Sequence, residues 1–298
     1  MPAASPVLTS DQTNALRQRL KEGQVALRER YERNANATAM LHGRSSLVDK
    51  LLCDIWNGFE FPPTFALLAV GGYGRGELYP ASDIDLLILL PESAGNEQDD
   101  KITALIGVLW DVGLEVGHSV RNLEECRQAA AGDITIQTNL LESRLLAGSR
   151  RAFSDFGHMI QASLDAPAFF KAKRLEQQER HTRHDDTAFS LEPNGKESPG
   201  GLRDLQMVLW VAQAARQGRC WADLAENTLI TPEEAGQLAR CERFLQHIRI
   251  RLHYLAGRRE DRLVFDLQTA VAESFGYQST PGQRASEAKP RFAKSPKS

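Results

Sequence analysis

Residues 65–90 read FALLAVGGYGRGELYPASDIDLLILL. Phe65–Val70 and Ile84–Leu90 are short apolar runs, the second stopped by Pro91, and each predicts a strand buried on both faces. The glycine cluster Gly71–Gly76 turns the chain between them, and Gly74–Tyr79 leaves room for one turn of helix. Asp83 and Asp85 open the second strand. Residues i and i+2 of a strand share a face, with side chains about 7 Å apart. Two carboxylates at that range repel by about 2 kcal/mol at an effective dielectric of about 20. A purely structural strand end gains nothing from that repulsion, whereas a divalent cation turns the pair into ligands. Hard oxygen donors suit Mg²⁺, which binds one or two carboxylates and completes its shell with water and substrate phosphate. The upstream glycines let backbone amides approach such a phosphate.

The cluster runs Gly71-Gly72-x-Gly74-x-Gly76, so it lacks the G-x-G-x-x-G spacing of a dinucleotide fold. No Gly-Lys-Ser/Thr follows to make a P-loop. A glycine turn, a short helix and Asp-x-Asp on the next strand resemble the nucleotidyltransferase signature of the DNA polymerase beta-like superfamily. The longer string GGYGRGELYPxSDIDLL is similar to the amino-terminal domain of the bifunctional uridylyltransferase/uridylyl-removing enzymes that modify the PII nitrogen-signalling protein. GHSVR at 117–121, TNLLESRLLAG at 138–148, KESPGGLRD at 196–204 and LHYLAGRREDRLVFDLQ at 252–268 extend the resemblance. Ser198 stands where the family's KEGPGGLRD string carries glycine.

The resemblance implies transfer of UMP from UTP to a tyrosine of PII, with pyrophosphate leaving. Asp83 and Asp85 would be the catalytic and metal-binding pair, holding Mg²⁺. Gly71, Gly72, Arg75, Ser82 and Lys196 would bind the nucleotide. Members of the superfamily often add a third carboxylate, for which the chain offers Glu115 and Glu142. Two rival readings stay open: a protein adenylyltransferase of the same fold, and a non-catalytic nucleotide- or partner-binding fragment.

Composition sets the outer bounds. The 298 residues, 42% hydrophobic and 25% charged, suit a soluble globular protein with a sizeable core. The net charge of −3, from 36 basic and 39 acidic residues, gives no field that points to nucleic acid or membrane. Cys53, Cys126, Cys220 and Cys241 contain no CxxC pair and read as buried thiols of a reducing cytosol. With no signal-like or membrane-length apolar run, the expected location is cytoplasmic.

The expected fold is α+β. Helices over 11–33 and 46–56 occupy residues 1–60, a small mixed-sheet nucleotidyltransferase domain covers 61–150, and a helical domain covers 151–280. Residues 1–10 and a basic, proline-containing tail at 281–298 are expected to be disordered. Within the first domain, a helix through Ile102, Leu105 and Leu109 precedes a strand over 114–122. His118 reads as structural and Arg121 as a surface side chain. His181-x-x-His184-Asp185-Asp186 is similar to part of an HD phosphohydrolase motif but lacks its further ligands, and reads as polar surface. In Glu192–Trp210 a Pro/Gly loop opens onto a helix at Leu202, whose freed amides, with Lys196 and Arg203, would suit an anion. Glu233–Leu255 predicts a long helix whose stripe, Leu238, Cys241, Phe244, Leu245, Ile248, Leu252 and Leu255, is core. Arg258, Arg259 and Arg262 read first as a solvated face, with contact to phosphate or to the partner protein as the alternative. The family's hydrolytic HD and glutamine-sensing ACT domains are not in the sequence, so a shortened chain with a tendency to self-associate is expected.

Overall fold

The computed structural model describes residues 8–92, 98–184, 187 and 190–277. Helices α1 (Ser10–Asn34) and α2 (Ala37–Gly58) lead into the sheet. Thr9 caps α1 reciprocally with Gln12, so residues 8–10 are not disordered as expected, and residues 1–7 lie outside the described residues. Strand β1 (Ala66–Ala69), the short helix α3 (Gly71–Gly74) and β2 (Ile84–Leu89) follow. The helical turn therefore sits on the glycines themselves rather than on Gly74–Tyr79. Gly71 enters it at φ 57°, a conformation glycine adopts freely. Next come α4 (Asp99–Val112), β3 (Val116–Arg121), α5 (Leu123–Gly132), α6 (Ile134–Leu141) and β4 (Arg144–Gly148).

The strand order is β3-β2-β1-β4. β3 runs parallel to β2, while β1 is antiparallel to both β2 and β4, which makes the sheet mixed. Alternate strand residues feed two cores. Leu67, Leu86 and Ile88 pack with Leu16, Leu51, Ile55 and Leu109 on one face. Ala66, Leu68, Leu87 and Leu89 pack with Leu140, Phe156, Phe169 and Trp210 on the other. Burial on both faces is why the two runs read as unbroken apolar stretches. The amino-terminal helices thus share a core with the sheet.

Helices α7 (Arg150–Ser163), α8 (Ala166–Thr182), α9 (Leu202–Ala214), α10 (Trp221–Glu226), α11 (Pro232–Ala256) and α12 (Phe265–Ser274) complete the described chain. The tail, residues 281–298, lies outside the described residues. α11 starts on a Thr231/Glu234 capping box with Pro232 in its first turn. Its expected apolar stripe is only partly core: Leu252 is buried, but Phe244 and Leu255 are exposed. Much of the buried face is polar, carrying Gln246, Arg249 and His253 beside Ile250. The cysteines also depart from expectation. All four are free, and only Cys126 is buried, while Cys220 and Cys241 are exposed. Among the described residues no helix is long and apolar enough to cross a membrane.

Candidate active site

β1, α3 and β2 place the glycine turn and the two aspartates on one lip of a cleft. Its volume is about 130 Å³, and α9, α11 and the loops beside them form the opposite wall. Gly72, Arg75, Ser82, Asp83, Asp85 and Lys196 all line it. Gly71 lies beneath, where an added Cβ would come 3.7 Å from Asp85 Oδ2. The structure therefore gathers the two aspartates and the residues singled out for nucleotide contact, whereas Glu115, a candidate third carboxylate, is not among the residues lining this cleft.

Asp85 faces Gly117 across the parallel β2–β3 pairing. A Cβ on Gly117 would sit 2.8 Å from Asp85 Oδ1, so glycine there leaves the carboxylate its room. Burial pushes the Asp85 carboxyl up, and the neighbouring Asp83 charge adds to this against the pull of Lys196 and Arg259. A carboxylate pair under that strain fits a divalent cation, which removes the repulsion and uses oxygen donors. Among the described residues no group of three or more His, Cys, Asp or Glu is gathered as metal ligands. The fit is therefore to a cation held by two carboxylates and completed by its substrate.

The two third-carboxylate candidates differ sharply. Glu142 is buried and lines the cleft, but it is bound to Arg75, which also reaches Glu77 at 3.1 Å. Glu115 is exposed, and the pairing of Ile84 with Val116 sets it across from Asp83 at the strand ends.

The far wall is cationic: Lys196, Arg203, Arg249 and Arg259 all line the cleft. Lys196 is pushed down to about 8 by burial, with Arg249 and Arg203 adding to the effect. Its loop is stitched locally. Asn194 Oδ1 accepts from the Lys196 and Glu197 amides at 2.9 and 2.8 Å, and Ser198 Oγ accepts from the Asn194 amide at 3.0 Å. The serine thus fits where the related string has glycine. The expectation of free amides at the α9 start is overturned. Leu202 and Arg203 donate theirs to the Gly195 and Lys196 carbonyls, and Gly200 donates to Asp204. Anion contact here falls to the side chains.

Arg249 was not legible as a site residue, and Arg259, read mainly as solvated, lines the cleft. Arg249 stacks 3.8 Å over the Tyr79 ring and binds Asp261, and Arg259 reaches Asp83 at 3.7 Å. The available signal was the spacing of Gln246, Arg249 and His253, a polar stripe at helical intervals that an apolar reading passes over. His118 is exposed, and neither it nor Arg121 lines the cleft. His181 is no simple surface group. Its Nε2 sits 3.0 Å from both Asp204 oxygens, beside the Arg180–Asp204 ion pair. Asp185 and Asp186 lie outside the described residues.

A paired carboxylate on a glycine-led strand, facing a cationic wall, suits a site that transfers a phosphate-bearing group with a divalent cation. Residues 52–141 match a family model described as a nucleotidyltransferase domain, a class that generally works with a divalent metal. Residues 168–294 match one described as GlnD PII-uridylyltransferase. Among curated relatives, the bifunctional uridylyltransferase/uridylyl-removing enzyme of Aromatoleum aromaticum is 54% identical over 271 residues, covering 91% of this chain and 31% of that protein. Those of Burkholderia thailandensis and Nitrosospira multiformis are 51% and 49% identical, covering 90% and 92% of this chain and 31% and 32% of theirs. The chain is a homologue of the amino-terminal part of these enzymes. It spans about a third of the length of the curated relatives it matches.

Proposed function

We propose that the chain transfers UMP from UTP to a tyrosine hydroxyl of the PII protein, with Mg²⁺ as the cation. The observation that carries this is the placement of Asp83 and Asp85 opposite Lys196, Arg203, Arg249 and Arg259 in one cleft. Bound by the two aspartates, the cation would neutralise charge on the α-phosphate and the leaving oxygen. The cationic wall orients the triphosphate so that its α-phosphorus faces the incoming hydroxyl. The Arg75–Glu142 and Arg75–Glu77 pairs hold the glycine turn rigid beneath it. The tyrosine oxygen forms the new bond to phosphorus, the bond to the bridging oxygen breaks, and pyrophosphate leaves. Glu142 is committed to Arg75, and in this reading Glu115, across from Asp83 at the strand ends, would take the hydroxyl proton.

Turnover with labelled UTP and purified PII tests the reading: label should appear on a PII tyrosine. Label reaching PII from ATP and not from UTP would replace it with adenylylation. Glu115→Gln should slow transfer by about a hundredfold while leaving UTP binding unchanged. An unaffected rate would place the base elsewhere.

A further inference from the structure

Beside the nucleotide cleft lie two adjoining cavities, of about 300 and 170 Å³, that share Arg44 of α2, the Pro80–Ala81 loop and Gly257. Arg44 is 7% exposed. Its Nε is buried without a hydrogen-bond partner, and among the described residues the guanidinium makes one long hydrogen bond, 3.5 Å from Nη2 to the Ser82 carbonyl. Among the described residues no carboxylate pairs with it. An arginine cannot escape such a position by losing its proton under ordinary conditions, so the folded chain carries an uncompensated charge. Burial pushes the group down to about 10, which records that cost.

The surroundings do not supply the missing anion. Arg28 lines the smaller cavity, and Arg258 and Arg259 line the larger, against Glu115 as the one acid. Buried charges are paired or hydrogen-bonded in folded proteins, and a guanidinium offers a planar fork matched to two oxygens. We propose that Arg44 forms an anion-binding site, beside the triphosphate wall and sharing only Arg259 of its cations, that takes a carboxylate or phosphate group. Ser82 links this site to Asp83, so an occupant bears on the catalytic loop. The anion has two possible sources: a free small molecule acting as an effector, or an acidic side chain of the acceptor protein.

Thermal melting in inorganic phosphate or succinate tests this in a Lys196→Ala background, which weakens anion contact in the nucleotide cleft, and the comparison with Arg44→Met separates the shift that the remaining cleft arginines give. At tenfold excess over its dissociation constant, the bound anion should raise the midpoint by about 3 °C. Arg44→Met should melt above its parent without anion, because it replaces an orphaned charge with an apolar chain of similar length, and should lose the anion shift. Arg44→Lys keeps the charge without the fork and should retain a smaller shift. An equal shift in Arg44→Met, or none in the parent, overturns the site. Mg²⁺–UTP binding to the unaltered chain is measured separately, so failure of the nucleotide reading is recognised on its own. In the transfer assay, succinate that raises the KM for PII competitively identifies an acceptor side chain as occupant. A change in kcat at constant KM identifies a free effector.

Discussion

Asp85 carries the tension between folding and chemistry. Its carboxyl is held above the usual carboxylate range by burial first and Asp83 second. A carboxyl raised in the folded state contributes stability that is fully present below its unfolded value, about 3.9, and lost as pH rises through the folded value. At neutral pH and without metal, Asp85 therefore destabilises the chain. Asp85→Asn removes the charge and keeps the shape. It should abolish transfer, by more than about a hundredfold, yet raise the melting midpoint at pH 7. The gain should shrink as the pH approaches 4. Asp83 is half exposed and should lose transfer on substitution with little change in melting. A lowered midpoint for Asp85→Asn, with transfer intact, would remove the metal assignment and the electrostatic argument together.

Among the elements, α3 was misplaced by the sequence, and the reason is steric. Gly74 packs so closely that an added Cβ would fall 1.7 Å from the Glu142 carbonyl oxygen and 3.0 Å from that of Ala69. At Gly72 the nearest atoms are Arg75 Nη2 at 3.5 Å and the Glu77 carbonyl at 3.7 Å, ordinary contacts. Glycine spacing alone does not say which glycine is packed and which faces ligand. Gly74→Ala should accordingly cost on the order of 3 kcal/mol in chemical denaturation. Gly72→Ala should fold normally and weaken UTP binding. Equal costs at both positions would mean that α3 shifts as a unit. β1 and β2 were legible because both faces are buried, and the aspartates because their repulsion needs a purpose, whereas the half-buried β4 went unpredicted. The bounds of α11 were legible but its buried face was not, because a helix that builds a cleft buries polar groups at helical spacing and exposes Phe244 where a core stripe was expected.

Over the whole molecule, the cleft depends on segments far apart in sequence meeting behind its cationic wall. Asn194 pairs with Arg262, and the amides of Gly195 and Leu263 donate to the carbonyls of Asp261 and Pro193 at 2.8 and 2.9 Å. This bracket sets the Lys196 loop against the end of α11. Asp261 is its electrostatic centre, accepting from Arg249 and lying 3.3 Å from His253 Nε2. Burial pushes the Asp261 carboxyl up, but hydrogen bonds from His253 and Arg249 win and hold it well below the usual range. No pattern of apolar periodicity reports such a bracket, since its partners are loops paired through backbone and charge. A depressed carboxyl contributes stability that is present above its unfolded value and lost as pH falls through the folded one. Asp261→Asn leaves Arg249 buried without its partner, which should cost about 3 kcal/mol at pH 7, and the gap from the unaltered chain should close on strong acidification. The same substitution should release Arg249 and Lys196 from their places. Mg²⁺ and UTP at tenfold excess should raise the midpoint of the unaltered chain by about 3 °C, and chelation of the metal should remove most of that rise. In Asp261→Asn the rise should be lost even with metal present. A variant that keeps both its stability and its full nucleotide shift would show that the wall stands without the bracket.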